Sequence, residues 1–91
     1  MKPYEEVIER DVIVRTFSED VESEELVWHR DKKDRVVEVI QSNGWKFQMD
    51  NELPKTLESG NVVEIPKETF HRVIKGEGNL IIKIKEIKVI K

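Results

Sequence analysis

Apolar residues recur at alternate positions through much of the chain, in short runs rich in valine and isoleucine that turn-forming clusters interrupt about every ten residues. A period of two puts successive side chains on opposite faces of an extended backbone, so the runs predict half-buried strands rather than helices. Seven strands are expected, at Val12 to Phe17, Glu25 to Arg30, Arg35 to Ile40, Trp45 to Met49, Asn61 to Ile65, His71 to Lys75 and Leu80 to Val89. Ser42-Asn43-Gly44 and Gly76-Glu77-Gly78-Asn79 supply residues that tolerate positive φ at hairpin turns, while Asp50-Asn51-Glu52-Leu53-Pro54 makes a longer connection. Only the stretch around Pro3 to Arg10 offers a helical turn, and it is too short to hold without packing.

Two details sharpen this pattern. Trp45, Phe47 and Met49 share one face of their strand and Lys46 and Gln48 the other, which assigns the aromatics to the core. Were they to turn outward instead, Gln48 would enter a cavity as a ligand or a hydrogen-bond donor. In the last tract Leu80, Ile82 and Ile84 share a face, after which the apolar positions pass to Ile87 and Val89; that slip predicts a bulge near Lys85 and Glu86. Many short strands at this spacing close into a sandwich or barrel, an all-β fold in a single domain over residues 1–91, with 1–10 as an N-terminal extension.

A chain of 91 residues holds one modest core, and 37% hydrophobic content is enough to fold it. The absence of cysteine excludes disulfides, thiolate metal sites and a cysteine nucleophile. No apolar run approaches the ~18 residues of a membrane span, and Met1-Lys2-Pro3-Tyr4-Glu5-Glu6 lacks the apolar core of a signal peptide, so a cytoplasmic protein with no membrane partner is expected. The net charge of −3 hides an asymmetry: residues 1–27 carry nine acids against three bases, and residues 67–91 seven bases against three acids. The two ends are expected to attract one another as neighbouring strands. Lys83, Lys85, Lys88 and Lys91 alternate without interleaved aromatics or arginine, which fits an edge protected by lysine better than a nucleic-acid surface.

The chain has two histidines. His29 and Asp31, two apart on an expected strand, face the same way, and His71 opens another strand after a proline-marked turn. If both histidines point inward, His29, Asp31 and His71 form a two-histidine, one-carboxylate set, the arrangement that holds non-haem iron with positions left open; its donors suit divalent Fe, Mn, Ni or Zn. The guanidinium of Arg35 cannot bind a cation. It either pairs with Asp31 or Asp34, or receives an anionic ligand through a bidentate contact. Arg30 and Arg72 each follow a candidate ligand and should point away from the cavity. Trp28 should face opposite to His29, packing under the N-terminal strand or in a dimer interface. The apolar edge around Leu80 to Ile84 favours a homodimer, because an unpaired apolar edge invites aggregation. No separate general base is evident.

Gly60, Pro66 and His71 fall on a pattern that resembles the second motif of the cupin superfamily, with Glu68 in place of the usual second glycine. The first cupin motif is matched by His29; Asp31 stands where a second histidine is usual and Arg35 where a glutamate is. Val39-Ile40-Gln41-Ser42-Asn43-Gly44 resembles the end of that motif, with the glycine displaced by two. The resemblance covers roughly residues 27–75. It implies a double-stranded β-helix, a jelly-roll barrel, whose matched histidines are metal ligands in the catalytic members, dioxygenases and isomerases among them. The expected function is therefore a divalent-metal site with a small polar or anionic molecule completing the shell. The alternatives are a metal-free anion-binding module and a structural homodimer. The triad is also similar to that of the 2-oxoglutarate-dependent oxygenases, whose flanking helices this chain has no length to build and for whose basic residue Lys83 is the nearby candidate.

Overall fold

The computed structural model describes residues 2–87. Eight strands follow one another as β1 (Glu5–Glu9), β2 (Val12–Phe17), β3 (Arg35–Gln41), β4 (Lys46–Met49), β5 (Lys55–Thr56), β6 (Val62–Ile65), β7 (His71–Ile74) and β8 (Leu80–Glu86), with one 3₁₀ turn at Ser23–Glu25. They form two antiparallel sheets, ordered β1-β2-β8-β3-β6 and β5-β4-β7. The result is the all-β jelly-roll architecture that the alternation predicts.

The alternation is most regular where both neighbours of a strand are present. On β8, between β2 and β3, Leu80, Ile82 and Ile84 are buried while Lys83 and Lys85 face solvent; on β3, Val37 and Val39 turn to the same interior. From the second sheet Phe47 closes the core, and Trp45 and Leu57 flank it. Trp45 is fully buried at 0% exposure, and its indole N–H donates to the carbonyls of Glu77 and Gly78, both at 3.2 Å. Its removal would cost about 3–5 kcal/mol. A Cβ at Gly76 would collide with the backbone of Asn43, Gly44 and Trp45, so only glycine lets the two hairpin ends pass this closely.

Five local expectations are corrected. β8, expected as an edge with Leu80 to Ile84 and its lysines, is a central strand paired on both sides by β2 and β3, so it offers no apolar edge to a second copy. Residues 5–9 form β1 and not a helical turn, because Glu5 through Glu9 find a complete partner in β2 across a tight turn with Arg10 at φ 54°. The two ends do lie as neighbouring strands, β2 beside β8, but no opposite charges face each other there: Lys83 and Lys85 lie opposite Val14 and Val12, and the acidic Glu6 opposes Arg15 of β2 instead. Residues 25–30 are not a strand, since no neighbour offers a ladder beyond a single bridge at His29. β8 keeps its register with β3 through Glu86, and the irregularity falls instead on β3 between Val39 and Gln41. The apolar slip after Ile84 reflects the end of the strand at Glu86. Lys88, Val89 and Lys91 lie outside the described residues. Among the described residues no helix is long and apolar enough to cross a membrane.

Candidate metal centre

His71 is the first residue of β7, paired with Met49 of β4, and only 5% exposed. His29 sits on an irregular segment that the backbone ties to β7: the His29 N–H donates to the His71 carbonyl at 3.0 Å and the His71 N–H to that of His29 at 2.8 Å. The same segment is held to the turn after β6. The Glu68 N–H donates to the Asp31 carbonyl at 2.7 Å, and the Lys67 N–H to the Asp34 carboxylate at 2.8 Å. Glu68 adopts φ 59°, the left-handed conformation that explains why a glycine suits its place in the motif.

These ties bring three side chains together. Their candidate ligand atoms lie within 4.8 Å of one another, with His29 exposed, Asp31 half-buried and His71 buried. The Nδ1 of His29 lies 3.0 Å from the Val27 carbonyl and the Nδ1 of His71 lies 2.8 Å from the Thr69 carbonyl. A carbonyl oxygen only accepts, so each Nδ1 carries a proton, and in the neutral ring it is Nε2 that keeps the lone pair. His71 Nε2 stands 3.3 Å from Asp31 Oδ2, a buried oxygen with no hydrogen-bond donor among the described residues. Burial is the main influence on His71 and lowers its pKa below the usual imidazole value; His29 and Arg35 act in the same direction, against the Thr69 hydrogen bond and Asp31. The neutral imidazole of His71 is therefore favoured, and three candidate ligand atoms stand together.

Arg35 reaches two acids, with Nη1 3.5 Å from Asp31 Oδ1 and Nη2 3.1 Å from Glu86 Oε2. Asp34 is not its partner. The Arg35 Nε is buried with no acceptor among the described residues, and the side chain lines the same cavity as the trio. That cavity has a volume of about 280 Å³ and runs between the sheets, walled by Val37, Val39, Phe47, Leu57, Ile82 and Ile84. Gln48 lies elsewhere. Because Trp45 and Phe47 turn inward, Gln48 faces the outside, accepting from Arg72 Nε at 3.0 Å and donating to the Glu52 carbonyl at 2.9 Å.

Arg30 and Arg72 point away from the cavity as their parity requires: Arg30 pairs with Glu68 at 3.8 Å, and the guanidinium of Arg72 lies 4.7 Å from the centre of the Trp28 ring. Trp28, 40% exposed, therefore stacks on Arg72 and does not pack under the N-terminal strand. Lys83 is on the outer face of β8, away from the trio. Sequence reasoning missed Arg15, which is 8% exposed, lines the cavity and bonds Glu6. Its parity with Ile13 and Phe17 was the available signal.

No family model matches the sequence, and no curated protein matches it. Solved structures do. A cupin domain from Bordetella pertussis Tohama I aligns with a TM-score of 0.66 at 19% identity, covering 94% of this chain and 92% of that one. A cupin-2 domain protein from Shewanella frigidimarina NCIMB 400 aligns at 0.66 with 22% identity, over 92% of this chain and 79% of that one. The DMSP lyase DddQ from Ruegeria pomeroyi DSS-3 aligns at 0.67 with 11% identity, over 88% of this chain but 39% of the lyase. The chain has the cupin fold, a double-stranded β-helix. A fold of this kind hosts many chemistries, so function rests on the site.

Proposed function

We propose that this small cupin binds one divalent metal ion, Fe, Mn, Ni or Zn, through His29 Nε2, an Asp31 carboxylate oxygen and His71 Nε2, with a small polar or anionic molecule completing the shell. The observation that carries the reading is the arrangement of acceptors: two imidazoles whose Nδ1 protons are committed to the Val27 and Thr69 carbonyls face a buried carboxylate oxygen that has no donor among the described residues. Backbone bonds to the distal nitrogens fix ring orientation and tautomer, as at metal sites generally. Asp31 supplies the negative charge, and Arg35, itself balanced by Glu86, holds its other oxygen. When bound, the metal would polarise an oxygen of the ligand as a Lewis acid. Turnover would take the form of a dioxygenase or isomerase reaction.

Elemental analysis of protein purified without an affinity tag or chelator tests this. Near-stoichiometric metal, lost in both His29→Ala and His71→Ala, is the expected result. Wild-type protein that stays empty and takes up none of the four added metals would overturn it. The second reading, a metal-free anion site, draws on the unpartnered Nε of Arg35. It predicts anion binding indifferent to chelators.

A further inference from the structure

The cavity beside the trio has two cationic corners, and they are not equivalent. Arg35 opposes Glu86 on β8, while Arg15 opposes Ile82, four residues back along the same strand and hence roughly 13 Å away along it. At the Arg15 corner both Nε and Nη2 donate to one Glu6 oxygen, at 3.3 and 3.0 Å, and the Tyr4 ring covers the guanidinium at 3.8 Å. That guanidinium is already paired, on a carboxylate that the exposed Lys2 also approaches at 3.6 Å. At the Arg35 corner the Nε has no acceptor among the described residues, and with Lys33 also 4.0 Å from Glu86 a divalent ion beside Asp31, Arg35 and Glu86 would leave positive charge in excess. Apart from the trio, the two arginines, Tyr4 and Glu25, the lining is almost wholly apolar, mostly valine, leucine, isoleucine and phenylalanine, which leaves few partners for the several hydroxyls of a sugar.

We propose that the cavity takes a small monocarboxylate with an apolar body, its head group at the metal and Arg35 and its hydrocarbon against Val37, Phe47, Leu57 and Ile84. This deepens the metal-binding reading and rests on it for the contact to the ion. A volume of about 280 Å³ corresponds to roughly nine waters at ~30 Å³ each, which limits the guest to on the order of ten non-hydrogen atoms. A second anionic group at the far end would have to displace Glu6 from Arg15, so dicarboxylates are disfavoured. A neutral alcohol leaves the excess charge at the near end unanswered.

Calorimetric titration of the metal-loaded protein with acetate, butanoate, hexanoate, 1-hexanol and adipate tests the assignment, with metal content measured on the same samples. Affinity should rise about fourfold per added methylene from acetate to hexanoate. Adipate and 1-hexanol should bind about tenfold or more weakly than hexanoate. Arg35→Gln should weaken hexanoate by a similar factor, and Lys83→Ala, on the outer face of β8, should leave it unchanged. The chain-length series needs no variant, so a misfolded Arg35→Gln would not rescue the proposal. Loaded protein that shows no dependence on chain length, or that prefers adipate or 1-hexanol, would overturn the inference and leave the metal site standing. Protein that loads no metal yet binds hexanoate in the expected order would sink the metal reading and sustain the apolar-acid cavity. Absence of both metal and hexanoate binding would overturn both.

Discussion

His71 and the His29–Asp31 segment contribute to one site from opposite kinds of structure. His71 belongs to a four-residue strand laddered to β4 and is buried, with its ring against Phe47 at 5.8 Å between centroids. His29 and Asp31 stand on a stretch with no strand of its own, held by the bridge to His71 and by the bond from Glu68. One candidate ligand is part of the fold, and the other two are tied onto it. The expected consequence is that the stretch can loosen without loss of the core, because local opening follows low burial and few ladder bonds.

The largest contrast should come from removing each histidine. Metal should be lost in both His71→Ala and His29→Ala, but urea denaturation of the metal-free proteins should show a cost of about 2–3 kcal/mol for the buried residue and a change within about 0.5 kcal/mol for the exposed one. Equal costs would mean that the two regions are not different in kind. Next in size is hydrogen exchange: the amides of Val27 and Trp28 should exchange orders of magnitude faster than those of Arg72 and Val73, and added metal should narrow the gap. Unprotected β7 amides would remove the comparison.

A smaller effect tests the tie itself. Glu68→Gly relieves a left-handed backbone at φ 59° and forfeits only an exposed ion pair with Arg30, so it should stabilise the protein by about 0.5–1 kcal/mol in thermal unfolding. A destabilised variant would show that the side chain, and not the backbone, holds the turn. The smallest effect is a pH slope. Because burial lowers the pKa of folded His71, the unfolded chain takes up that proton first as pH falls below about 6.5. Metal-free stability should thus be full above that value and decline toward the lower folded pKa. His71→Gln should remove this part of the slope, and an unchanged slope would assign it to other groups.

Much of the fold was legible because β3 and β8 each have one face in the core, which writes a period of two into Val37, Val39, Leu80, Ile82 and Ile84. β1 was not, since Glu5-Glu6-Val7-Ile8-Glu9 is buried on neither face and owes its form to pairing with β2. The converse error arose at 25–30, where Leu26, Val27 and Trp28 have strand-forming side chains but no partner backbone. Two-residue β5 carries too little pattern to be seen. The juxtaposition of His29, Asp31 and His71 was legible from motif spacing even though one of their expected strands does not exist, because a single bridge does the work of a ladder there. The Arg15–Glu6 pair was hidden by the missing first strand.

The reciprocal backbone bonds between His29 and His71 make them a hydrogen-bonded antiparallel pair, whose Cα atoms stand about 5.5 Å apart by the geometry of peptide groups alone. The bite of the site is therefore written in main chain, which every amino acid except proline can supply. Substitution at 29, 31 or 71 can erase, restore or retune the donors while the main-chain pair stays, and Arg35, though it stands on β3, is coupled to them through Asp31. A lineage could pass between metal-loaded and metal-free forms through side-chain changes on an unmoved frame, and a designer could treat the pair as a socket of fixed gauge.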